Sequence, residues 1–160
     1  MNVEGDRSFG ARREIVWDVL NDPSKMAELM PGVQSFEITD DSHWTAHVKI
    51  PLGLGSLAMT IDFEKTDERP GEYSSLHAKG NGVGAMLNMQ TSFTLETLEE
   101  GTKMHWTADV KLAGPVGAMG QRVLQPIVKQ QVNHVLTALD KQVTAAAEAE
   151  ASAGLSPPDA

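Results

Sequence analysis

From Val33 to Leu112 the sequence repeats one device, short runs in which apolar and polar residues alternate, and a single long stretch with helical spacing follows. Trp44, Ala46, Val48 and Ile50 alternate with His43, Thr45, His47 and Lys49, the period of a strand with one buried face. Leu57, Met59, Ile61 and Phe63 form another such run, and Leu76 and Ala78 mark a weaker one. Leu87, Met89, Thr91, Phe93 and Leu95 share one side of the next, and Met104, Trp106, Ala108, Val110 and Leu112 one side of the last. Asp40-Asp41, Pro70-Gly71 and Glu99-Glu100-Gly101 supply turns between them. Gly53-Leu54-Gly55-Ser56 reads as a further turn. Sequential hairpins of this kind predict an antiparallel meander with one wet face.

Ahead of the meander, residues 1–9 read as a strand and Arg12 to Leu20 as a short helix with Val16, Val19 and Leu20 on one face. Asp22 can cap a second short helix opened by Pro23, and Pro31-Gly32 ends it. Behind the meander, Val116, Met119, Val123, Ile127, Val132, Val135, Leu139 and Val143 recur at three- and four-residue steps. They predict one helix from about Val116 to Ala147, kinked or split near Gln125 by Pro126. From Ala145 the composition turns to Ala and Glu, then to Ser, Gly and Pro. The expected division is a domain over 1–146 and a disordered tail over 147–160. The class is α+β. The last helix is the only element long enough to cover the apolar sheet face. A sheet curled around one helix leaves a tapering apolar cavity, the usual place for a ligand.

A chain of 160 residues, 41% hydrophobic, suits one domain with a real core. It has no cysteine, which excludes disulfides and thiolate catalysis and fits a reducing cytoplasm. The opening residues lack the basic and apolar regions of a signal peptide, and no apolar run approaches the roughly 20 residues of a membrane span. A formal charge of −9 repels phosphate backbones and anionic lipid, so nucleic acid is not an expected partner.

The chemistry-bearing residues fall on the polar phase. At about 3.3 Å per residue, His43 and His47 stand about 13 Å apart on the face opposite Trp44, too far to share an ion. His77 and His105 also alternate away from the apolar side, so no metal and no cofactor are expected. No serine lies in a Gly-x-Ser-x-Gly elbow, and Asp62 and Asp109 sit on the solvated phase. Gly80-Asn81-Gly82-Val83-Gly84 lies between two strands, where a phosphate cradle would need a following helix. No catalytic set emerges, and the chain does not read as an enzyme.

The inward phase is apolar. Met59, Met89 and Met104 fall on it from three different strands, either filling the core or lining a cavity with adaptable thioethers. Trp106 adds a large wall and one N–H donor. Gly114, Gly117 and Gly120 allow close packing against the sheet or a mobile gate.

Two stretches carry a resemblance. Val16-Trp17-Asp18-Val19-Leu20-Asn21-Asp22-Pro23 with Pro31-Gly32-Val33 resembles the opening of the carbon monoxide dehydrogenase G-subunit family, within the START-like, helix-grip superfamily. Gly101-Thr102 through Thr107-Ala108-Asp109-Val110 to Gly114, Gly117, Gly120 and Arg122 is similar to the family's last strand and the entry to its C-terminal helix. The likeness spans roughly residues 1–143. It departs at Ala11-Arg12, where such proteins often carry proline, and at Pro126. It implies a helix-grip fold: a curved antiparallel sheet of about seven strands around a long C-terminal helix, with two short helices after strand 1. It favours cavity lining for the inward residues. The expected set is Val48, Ile50, Met59 and Ile61 with Leu87, Met89 and Phe93. Met104, Trp106 and Val110 join them from the last strand, and Met119, Val123 and Ile127 from the helix.

The resemblance further implies binding of a quinone-like or lipid-like molecule by an accessory protein of a molybdenum-containing hydroxylase. A cytoplasmic protein in transient contact with the inner membrane face fits that role, and the Leu155 to Ala160 end offers no permanent anchor. A cyclase or hydrolase working in the same cavity, and an assembly protein with no ligand, are the other functions open to such a fold.

Overall fold

A computed structural model describes residues 1–30, 32–51 and 55–155. Alternation becomes seven antiparallel strands: β1 (Asn2–Phe9), β2 (Val33–Asp40), β3 (His43–Pro51), β4 (Ser56–Arg69), β5 (Tyr73–Gly82), β6 (Ala85–Leu98) and β7 (Gly101–Ala113). They form one sheet in the order β1-β7-β6-β5-β4-β3-β2. The meander from β2 to β7 follows the chain. The pairing of β1 with β7, which sets Gly5 opposite Trp106, joins the two ends of the strand series and has no signal in local sequence.

Helices α1 (Arg13–Asn21) and α2 (Pro23–Leu29) connect β1 on one edge to β2 on the other. The Asp22 carboxylate accepts from the Ser24 N–H at 3.0 Å and Pro23 takes the first turn, as the sequence leads one to expect. Pro31, the expected stop, lies outside the described residues, as do Gly53 and Leu54 of the expected β3–β4 turn. The short helices are tied down on both sides. Lys65 donates to the Asn21 carbonyl and side-chain oxygens at 3.0 and 2.7 Å, and Gln142 donates to the Lys25 carbonyl at 3.1 Å.

The long helix differs from expectation at both ends. Gly117–Met119 form a single 3₁₀ turn and α3 runs from Gln121 to Leu155. Gly120 has φ +85°, a left-handed backbone that no α-helix contains, so the helix cannot begin at Val116. Pro126 lies inside α3 without splitting it. Standing in the second turn, it withholds a donor from the Arg122 carbonyl alone. At the far end the helix passes the expected boundary at 146, because an alanine-rich stretch is a good helix former even where it packs little. Arg12 pairs there with Glu150. Residues 156–160 are outside the described ones.

The core lies between the concave sheet face and the helices. Trp44 and Phe63 stack with centroids 5.4 Å apart and planes 10° apart. A Cβ on Gly117 would stand 2.4 Å from the Leu112 carbonyl oxygen. That glycine therefore serves close packing of the 3₁₀ turn on β7.

Candidate functional site

The concave face and α3 do not close completely. They leave between them a partly open cavity of about 270 Å³ whose walls come from every layer of the fold. From the sheet come Ile50, Ile61, Phe63, Leu87, Met89, Phe93, Met104, Trp106 and Val110, all on the phase that alternation marks as inward. From the helix come Val128, Gln131, Val132, Val135, Leu136 and Leu139, one face of α3 at helical spacing. Leu20, Met26, Leu29 and Met30 shut one end from α1, α2 and the turn after it. A second, larger depression of about 690 Å³ lies on the other side of the sheet, but Asn2, Glu4, Gln90, Ser92 and Asp109 make it a wet strand surface. The apolar hollow between sheet and helix is the better site for a small molecule.

Of the residues expected to line such a cavity, Ile50, Ile61, Leu87, Met89, Phe93, Met104, Trp106 and Val110 do so. Val48 and Met59 are buried but stand outside it. Gly80 explains Met59: a Cβ there would lie 2.6 Å from the Met59 sulfur, so the thioether rests on the bare backbone of β5. The expected helical contributors fail. Met119 is 40% exposed and Val123 45% exposed, while their neighbour Leu124 is buried; Ile127 does not reach the lining. Val123-Leu124 and Ile127-Val128 offer two adjacent apolar faces. Spacing from Val116 runs along one of them, and the helix that starts after Gly120 buries the other.

Polar atoms in the walls are few. Thr91 is committed, its hydroxyl donating to the Thr107 carbonyl at 2.8 Å. Trp106 Nε1 and Gln131 Oε1 are both buried with no hydrogen-bond partner among the described residues. Each orphan costs about 1–3 kcal/mol relative to a satisfied group, and both belong to side chains lining the same hollow. Gly5 holds the indole in place: a Cβ there would lie 2.9 Å from Trp106 Cζ2 and 3.2 Å from Nε1. The ring thus lies over β1, where only glycine leaves room. The inward phase of β7 pointed to Trp106. Gln131 was missed, because a glutamine between helical apolar residues reads as the solvated side.

No described lining residue is titratable, so none of them can serve as acid or base for proton transfer. The histidines sit on the outer surface, with His105 2.7 Å from Asp6, His43 2.9 Å from Asp40 and His77 2.9 Å from Asn88. Among the described residues no three metal-ligating side chains converge. No described helix is long and apolar enough to cross a membrane.

Comparison with known proteins gives the same architecture. The family of the carbon monoxide dehydrogenase G subunit (CoxG) matches residues 5–144. No curated protein matches the sequence. Among solved structures, a conserved protein from Geobacillus kaustophilus superposes with TM-score 0.83 at 24% identity, covering 90% of this chain and 95% of its own. A START superfamily protein from Mycobacterium smegmatis gives 0.69 at 14% identity, over 89% of this chain and 97% of its own. The Zhui aromatase/cyclase from Streptomyces sp. R1128 gives 0.67 at 16%, over 90% and 93%. At these identities the structures share the fold.

Proposed function

The chain belongs to the CoxG family, that of the carbon monoxide dehydrogenase G subunit, and we propose that it works there as a binding protein for an apolar small molecule held between the sheet and α3. One observation carries the reading: an apolar hollow of about 270 Å³ between sheet and helix, lined by a tryptophan whose indole N–H has no partner among the described residues. Ligand cavities commonly run to about 300–1,000 Å³, so the hollow suits a compact ring or the buried end of a longer molecule. A quinone-like or lipid-like ligand fits, with a carbonyl oxygen accepting from Trp106. In this role the protein serves a molybdenum-containing carbon monoxide dehydrogenase-type enzyme from the cytoplasmic side. Family membership supports that partner, and contact with the membrane surface is transient.

A cyclase-like reaction has fold kinship with the Streptomyces aromatase/cyclase behind it, yet no described wall residue is titratable and able to move a proton. Binding is the reading the lining favours. Titration with a short-chain menaquinone analogue, followed by tryptophan fluorescence, should give a saturable change at micromolar concentration or below, since Trp44 and Trp106 line the hollow. No response to any quinone or fatty ligand would overturn it in favour of an assembly protein with a filled core.

A further inference from the structure

The orphaned atoms are complementary, and the side chains that carry them line opposite walls. Trp106, on β7, brings a donor that can never accept; Gln131, on α3, brings an acceptor oxygen. Around them the lining is aliphatic, aromatic or thioether, and the Thr91 hydroxyl donates elsewhere. A trapped water needs about two to four polar partners to be held well, and among the described lining side chains the two orphans and the Thr91 oxygen, which can still accept, are the atoms that could serve it. We propose that Gln131 and Trp106 together read a hydroxyl group on the bound molecule. The ligand O–H donates to Gln131 Oε1, and the same oxygen, or a carbonyl beside it, accepts from the Trp106 N–H. The inference rests on the cavity being a site for an apolar ligand and adds the ligand's class. It is a hydroxyl-bearing ring compound, of phenol or hydroquinone type, ahead of a hydrocarbon or a molecule with carbonyls alone.

A hydroxyl is the smallest group that is donor and acceptor at once, so it answers both orphans where a carbonyl answers one. Discrimination of this kind is strong, because an analogue lacking the group leaves the protein atoms unpaired in an apolar site. Three probes of one size separate the cases: 2-naphthol is donor and acceptor, 1,4-naphthoquinone acceptor only, naphthalene neither. The chain has no cysteine for the quinone to alkylate. Calorimetric titration of the intact protein should place naphthol about tenfold or more ahead of naphthalene, with naphthoquinone between them. Gln131→Met, close in length and apolar, should cut naphthol affinity about tenfold while leaving naphthalene unchanged or tighter.

Naphthoquinone binding as well as or better than naphthol would overturn the inference, since Gln131 would then be presenting its NH₂. Equal affinities for all three, or an undiminished naphthol preference in Gln131→Met, would overturn it too. In those outcomes the probes still bind and the apolar-ligand reading stands, whereas failure of all three to bind removes both. The comparison in the unaltered protein decides the matter even if Gln131→Met fails to fold.

Discussion

Trp106 shows how much one side chain depends on a neighbour with none. Strand alternation puts it inward, but its position over β1 exists because Gly5 stands opposite. Alanine at position 5 would ordinarily suit a strand better than glycine. Here the added methyl meets the indole at 2.9 Å, so Gly5→Ala should destabilise by about 1–3 kcal/mol through overpacking and weaken ligand binding with it. Trp106→Phe separates the two effects. It removes an unpaired donor and keeps much of the volume, so stability should fall by only about 1–2 kcal/mol while affinity drops several-fold. Chemical denaturation and a ligand titration on both variants check this, and an unchanged affinity in folded Trp106→Phe returns the residue to plain core. On the outer face, a hydrogen bond from His43 to the Asp40 carboxylate, with Glu64 also near, raises the imidazole pKa above its ordinary value, and the same bond lowers that of Asp40. The His43 contribution is complete below the ordinary imidazole pKa and fades as pH rises through the raised one. The Asp40 contribution is present above the ordinary carboxylate pKa and fades on acidification. Asp40→Asn should bring the His43 midpoint down in an NMR titration; a midpoint that stays put removes the pair as its cause.

At the level of elements, the strands from β3 to β7 were legible because they have one wet and one dry face, and period two survives even where turns are weak. Helix α3 was legible as an element but not in phase. Its true start depends on the backbone of Gly120, and Val123-Leu124 with Ile127-Val128 leave two faces equally apolar. Downstream of Pro126, Val132, Val135 and Leu139 repeat without that ambiguity, and they do line the cavity. Gln131 stayed hidden for the complementary reason: nothing local distinguishes a polar residue facing a hollow from one facing water. The short helices' share of the lining, Leu20, Met26, Leu29 and Met30, was beyond sequence reading because β1 must first pair with β7 to bring them over the sheet's end. The last turns of α3 add little to this frame. Arg12–Glu150 joins two side chains that are each about half exposed, and such pairs contribute about 0–1 kcal/mol. Removing residues 148–160 should lower the melting temperature by less than about 4 °C; a larger drop by calorimetry would show that the helix end is docked.

For the molecule as a whole, ligand binding requires that sheet and helix leave an accessible apolar hollow between them and not a filled core. Methionines report on this from within, because they are scattered inside and outside the site. Met26, Met30, Met89 and Met104 line the hollow, Met59 packs on Gly80 beyond it, and Met86 is an exposed methionine on the rim of the sheet. A ligand in the hollow touches the first group alone. The direct measurement is a methyl NMR titration of the intact protein, labelled at methionine, with 2-naphthol or a short-chain quinone. Saturable shifts and ligand contacts at Met26, Met30, Met89 and Met104, with Met86 and Met119 unmoved, are the predicted result. Shifts centred on Met86 and Met119, or none anywhere at saturating ligand, would contradict it.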